Sequence, residues 1–202
     1  MRYRKSAVSS SQIVQAAIRV LARQGYARTS LLDIAREAGM SKGAVHYHFP
    51  SKEALLGVVL KTACDAVQER TRGLFVMGDD PLASLRKAVD VLWEVRASRT
   101  DEVLVVANLM AQSLHDPSLR PQLAEFYRIS TDLVEIYLAE NLPLMGLESK
   151  VPLPTLSKVI VGLLDGLMLQ VYLNPETVGS EEITQTFITM TGAFLTPRFF
   201  AA

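Results

Sequence analysis

The sequence predicts an all-α protein: a small, basic, three-helix head at the N-terminal end and a larger helical body. Three observations carry that expectation. Apolar residues recur at helical spacing from Ile13 to Phe194, with no alternating run of the kind a half-buried strand shows. Glycine, proline and Ser/Thr residues fall at the joints between these stretches, where helices are capped and stopped. The net charge of zero hides a division: residues 1–61 hold ten Lys or Arg against three Asp or Glu, a net of +7, and the rest of the chain is at −7. A length of 202 residues leaves room for one large domain or a small one fused to a larger. With 49% hydrophobic and 21% charged residues, a disordered tail and a collagen-like fibre are excluded. The charge change and the motifs below place the boundary at 1–60 and 61–202.

The first helix is expected to start at Ser10 or Ser11 as N-cap, to bury Ile13, Ala16, Ala17, Val20 and Leu21, to show Arg19 and Arg23 on its polar face, and to stop at Gly25. Thr29-Ser30 opens a short second helix, with Asp33 placed for a capping box, Leu31, Ile34, Ala35 and Ala38 inward, and Gly39 as its stop. Ser41 caps a third helix that Pro50 breaks, and Ser51 caps a long fourth through Lys52, Leu55, Leu56, Val59 and Leu60. The lone cysteine, Cys64, follows the apolar phase of that helix and reads as a small core residue. Further helices are expected from Pro81 to about Ala97, Asp101 to His115, Ser118 to about Asn141, Pro154 to Leu173, and Ser180 to Phe194, about nine in total. Prolines 117, 121, 143, 152, 154 and 175 lie near their joints.

Two short helices joined by a glycine turn make a helix-turn-helix, whose second helix presents its first turn to a DNA groove. Here that turn is Ser41, Lys42, Gly43 and Ala44. The small residues let the backbone approach bases, and Lys42 can donate to a guanine edge or to a phosphate. His46, Tyr47 and His48 follow as donors near the backbone, while Lys52 and the start of the fourth helix can hold a phosphate. His46 and His48, two apart on a helix, point to different sides and make poor metal co-ligands, so no metal site is expected. No nucleophile elbow, zinc-helix signature or glycine-rich phosphate loop is present, so neither an enzyme nor a cofactor is expected.

The strings Ile13-Val14-Gln15-Ala16-Ala17, Gly25-Tyr26-Ala27-Arg28-Thr29-Ser30, Ala38-Gly39-Met40-Ser41-Lys42-Gly43-Ala44 and Tyr47-His48-Phe49-Pro50-Ser51-Lys52-Glu53-Ala54-Leu55-Leu56 resemble the tetracycline-repressor (TetR) family. The resemblance is ungapped and covers about a quarter of the chain. It departs from the family at His46, where a tyrosine is usual. It implies a homodimeric regulator, most often a repressor, released from a palindromic double-stranded DNA operator by a small-molecule effector. It implies phosphate contacts from Thr29 and Ser30, base contacts from Ser41 to Ala44, and a backbone grip by Tyr47, His48 and Lys52. Dimerisation would use the last two long helices. There, Gly162 and Gly166 make a flat face suited to a dimer seam or to a tight internal crossing, and the resemblance favours the seam. The stripe Val159, Leu163, Leu167 and Val171, with Phe187, Met190 and Phe194, exceeds what one helical layer buries.

Trp93, Asn108, Met110, Gln112, Phe126, Tyr127 and Tyr137 put amphipathic groups among apolar helices and are the candidates for an effector site. Few body charges can be placed inside, which favours a largely apolar or planar effector. The alternative is a helical small-molecule-binding protein or enzyme with an incidental basic head; a duplex gel shift discriminates. The basic N-terminus leads into serines and an amphipathic run rather than a signal sequence, and residues 159–173 read as too short and too polar for a lone membrane span. A cytoplasmic protein without a membrane partner is expected.

Overall fold

The computed structural model describes residues 2–72, 80–174 and 180–197. Nine α-helices stand among them: α1 (Arg2–Arg28), α2 (Leu31–Glu37), α3 (Lys42–His48), α4 (Lys52–Arg72), α5 (Pro81–Ala97), α6 (Asp101–Gln112), α7 (Arg120–Asn141), α8 (Leu153–Leu173) and α9 (Ser180–Gly192). Single 3-10 turns precede α7 and follow it. Two three-residue strands, β1 (Leu147–Ser149) and β2 (Leu195–Pro197), pair antiparallel with Glu148 opposite Thr196. They are too short to leave a period in the sequence. Pro175 lies outside the described residues.

The first helix departs from expectation at its start. It begins at Arg2 and runs through Ser9-Ser10-Ser11 without a cap there, because three serines each cost a helix less than about 0.7 kcal/mol. Its helical geometry breaks at the expected glycine, Gly25, with φ 75° and ψ 171°.

The chain folds as two compact units. The first gathers residues up to Val67 with Arg99–Phe126, and the second Gln68–Ser98 with the chain from Tyr127 onward. The first therefore holds more than the expected head. Helix α6 packs along α1, with Val105 and Leu109 fully buried. Helix α2 is fastened to α1 by polar ties: Gln12 donates to the Ala38 carbonyl at 3.0 Å, and Arg19 and Arg23 both reach Glu37, at 2.8 and 3.2 Å. Those guanidiniums, Arg19 first, hold the Glu37 carboxyl below its ordinary range.

The second unit packs one apolar cluster from four helices. Val89, Leu92 and Trp93 of α5 meet Val134 and Leu138 of α7, Leu156, Ile160 and Leu164 of α8, and Ile183 and Phe187 of α9. Arg96 of α5 donates to Asp165 of α8 at 2.7 Å and to its own Leu92 carbonyl at 3.1 Å. The small sheet joins the α7–α8 connection to the chain after α9, reinforced by Lys150 Nζ on the Ala193 carbonyl at 3.0 Å.

Helix α8 corrects two expectations. Its 21 residues are long and apolar enough to cross a membrane by length and composition, because it starts before Val159. Its outward apolar line also has a different phase: Val159, Gly162, Gly166, Leu169 and Leu173 are exposed, whereas Leu163, Leu167 and Val171 are partly buried against the cluster. Phe187 is wholly inside, leaving Met190 of α9 and Phe194 just after it exposed.

Candidate nucleic-acid interface

The helix-turn-helix is built by caps in sequence order. Ser30 Oγ accepts the Asp33 N–H at 3.2 Å, and the Asp33 carboxylate accepts the Ser30 N–H at 3.0 Å, the reciprocal box expected. The Ser30 hydroxyl also donates to that carboxylate at 2.5 Å, and this bond first, then the one from the Ser30 N–H, holds the Asp33 carboxyl below its usual value. Gly39 takes a left-handed φ of 65°, which turns the chain after α2. Ser41 Oγ then accepts the Ala44 N–H at 3.1 Å and starts α3.

Only Val45 of α3 is buried, with Phe49 just beyond it. Ser41, Lys42, Gly43 and His46 are exposed, Ala44 and His48 half-buried, and Tyr47 is 82% exposed. Its ring stands edge-on to His48, with centroids 5.3 Å apart. A Cβ added at Gly43 would meet nothing nearer than Ser41 Oγ at 3.9 Å. The fold does not require glycine there, so the open backbone is available to a ligand. A seven-residue helix with one buried side chain and a bare first turn fits a major groove.

Two expected contacts have other partners. Thr29 is buried; its hydroxyl donates to the Gly25 carbonyl at 2.7 Å and its N–H to the Tyr26 carbonyl at 3.2 Å. Lys52 Nζ donates to the same Tyr26 carbonyl at 3.0 Å and sits 4.2 Å above the Tyr26 ring. Ser30 remains exposed. Two exposed cations stand outside the expected set, Arg28 at the end of α1 and Arg36 within α2. Their sequence signal was only their share of the basic head.

The seven effector candidates are divided between the two units. Asn108, Met110, Gln112 and Phe126 belong to the first unit, and Trp93, Tyr127 and Tyr137 to the second. Asn108 donates to the Leu104 carbonyl at 2.9 Å, and its Oδ1 lies 3.3 Å from where a Cβ on Gly25 would stand, so it faces the corner of the head. Met110 and Gln112 are half-buried on α6, and Phe126 is buried. In the second unit Trp93 is in the apolar cluster, Tyr127 packs on it, and Tyr137 is buried, which pushes its phenol pKa up. Sequence reasoning missed Asn141 and Ser157. Both are buried, and Asn141 Oδ1 and Ser157 Oγ have no hydrogen-bond partner among the described residues. An orphaned buried polar atom costs about 1–3 kcal/mol.

Residues 13–59 match the profile of the bacterial regulatory proteins of the tetR family, and residues 81–195 that of the BetI-type transcriptional repressor C-terminal region. The regulator TtgR of Pseudomonas putida is 32% identical over 100 residues, which are 46% of this chain and 48% of TtgR. The chain spans about half the length, or less, of the first curated relatives it matches. A transcriptional regulator from Rhodococcus superposes with a TM-score of 0.75 at 23% identity, covering 92% of this chain and 95% of its own. The multidrug binding protein EbrR, solved with imidazole, gives 0.68 at 25% identity over 90% and 93%.

Proposed function

The chain belongs to the TetR family of bacterial regulatory proteins, and on that premise we propose that it is a cytoplasmic repressor that binds a palindromic DNA operator as a homodimer and releases it when a small effector binds. The carrying observation is the bare first turn of α3, with Lys42 exposed and Gly43 open, on a head of net charge +7. Two such heads related by a two-fold axis would read two half-sites. The regulators matched by name are not enzymes, and nothing in the site favours the enzyme or carrier reading.

The exposed line Val159, Gly162, Gly166, Leu169 and Leu173 on α8, and the exposed Met190 and Phe194 near the end of α9, support the dimer. The line's spacing of three and four residues is that of a helix seam, and both glycines have no atom within 4 Å of an added Cβ. For the effector, the tyrosines, Trp93 and the apolar cluster support a largely apolar or planar molecule, as does the likeness to a multidrug binding protein. Asn141 Oδ1 would accept one hydrogen bond from it, and Ser157 Oγ would supply a second polar anchor.

The test is selection of duplexes from a random pool, followed by titration at stated salt. An inverted repeat whose affinity falls steeply with salt is expected. Gly43→Ala separates binding from folding: it stabilises α3 by up to about 1 kcal/mol and weakens duplex binding. Unchanged duplex affinity in Gly43→Ala overturns the close approach at α3.

A further inference from the structure

We propose that Lys52 is a positioning residue of the DNA-binding head: it latches the start of α4 onto the corner between α1 and α2, and so fixes the angle at which α3 is presented. The inference rests on the DNA-binding reading above. Lys52 and Tyr26 are the two ends of a segment that contains all of α2 and α3. The latch therefore closes a loop around every residue of the expected reading surface from Thr29 to His48. Only Phe49, Pro50 and Ser51 separate α3 from Lys52, so a shift of the lysine is passed to the recognition helix over three residues.

The lysine is fastened to a rigid point. Besides Lys52, the Tyr26 carbonyl accepts the Thr29 N–H, and the Thr29 hydroxyl holds the neighbouring Gly25 carbonyl. Gly25 occupies a conformation open only to glycine, and Asn108 of α6 stands against it. The ammonium meets a carbonyl at the end of α1, where the helix dipole favours a cation, and the face of the Tyr26 ring adds a second attraction. Lys52 is half-buried, and that burial pulls its pKa below the ordinary lysine value. Lys42 and Arg36 are exposed instead and can meet phosphates; Arg28 is exposed too, with its Nε donating to the Gln24 carbonyl at 3.0 Å.

The experiment compares the wild-type chain with Lys52→Met, which keeps the stem, and Lys52→Arg, which keeps the cation. Each is titrated with the duplex that the wild type selects and with a scrambled duplex of equal length, across a salt series, well below the melting point. The expected result is that Lys52→Met loses about tenfold in the selected-to-scrambled affinity ratio, the worth of one hydrogen bond to a charged group. Scrambled-duplex affinity and its salt slope stay as in the wild type, and Lys52→Arg recovers most of the ratio. Equal losses on both duplexes, with a slope shallower by about 0.9, make Lys52 a phosphate contact and overturn the proposal. A lowered melting point with an unchanged ratio makes its role merely structural and also overturns it. A wild type that selects no duplex overturns the DNA-binding reading itself, and the latch with it.

Discussion

Replacing Gly25 by alanine tests how the corner between α1 and α2 is held. At φ 75° and ψ 171° the residue sits where L side chains are strained, a cost of about 1–3 kcal/mol. The new Cβ would lie 3.3 Å from Asn108 Oδ1, so the amide must give by a few tenths of an ångström. Its Nδ2 is tied to Leu104 at 2.9 Å, and weakening that bond adds at most about 1 kcal/mol. Alanine also restricts the unfolded chain, which returns about 0.4–1 kcal/mol. The net loss is about 1–3 kcal/mol. Gly39→Ala is the control: its φ is 65°, and nothing lies within 4 Å of an added Cβ. It therefore costs only the left-handed term, about 1–2 kcal/mol before the same entropic return. Urea unfolding at fixed protein concentration, read as a midpoint shift at constant m, measures both. Gly25→Ala should lose more than Gly39→Ala, and adding Asn108→Ala should restore only the contact share. A Gly25→Ala protein as stable as the control, or one fully rescued by Asn108→Ala, refutes the backbone argument.

Cys64 should resist modification in the folded protein, because burial pushes its thiol pKa up to about 12; a thiol reagent at pH 8 that labels it before unfolding contradicts that. Glu37 has a folded pKa below its ordinary 4.5, so its contribution is complete above that ordinary value and fades as pH falls through the depressed one. Glu37→Gln should melt lower than wild type at pH 7, with the gap closing in acid; a gap unchanged at pH 3 would show that the Arg19 and Arg23 pairs are not its source. Asp165→Asn removes the partner of Arg96 where both side chains are mostly sheltered, 11% and 20% exposed. A loss of about 2 kcal/mol is expected, between the exposed and fully buried limits, and a change under about 0.5 kcal/mol in urea midpoints would make the pair incidental.

The joints of the head were legible because each is a local event. The Ser30–Asp33 box, the Ser41 cap and the turns at Gly25 and Gly39 are set by side chains within three or four residues of the backbone they satisfy. The start of α1 was not, because serines that look like caps also tolerate a helix interior. The partners of Thr29 and Lys52 were not either. Lys52 reaches a carbonyl 26 residues earlier, and no spacing rule shows whether a cation faces out or back. The phase of α8 was misread for a related reason: nearly every residue there is apolar, so periodicity alone could not rank Leu163 inward of Gly162. Asn141 and Ser157 carried no signal, since their burial is decided by packing in the second unit.

Helix α6 belongs with the first unit, although α5 before it belongs with the second, and α4 and α7 each run from one unit into the other. This interleaving limits how such a protein can be recombined. A chimaera joined at residue 60 would give a foreign α1 the native α6, mismatching the surface that holds Val105 and Leu109 and the seat of Asn108 beside Gly25. Residues 99–126 would have to travel with the head. On the reading proposed for α3, substitution within that helix disturbs less of the fold than trading whole N-terminal segments.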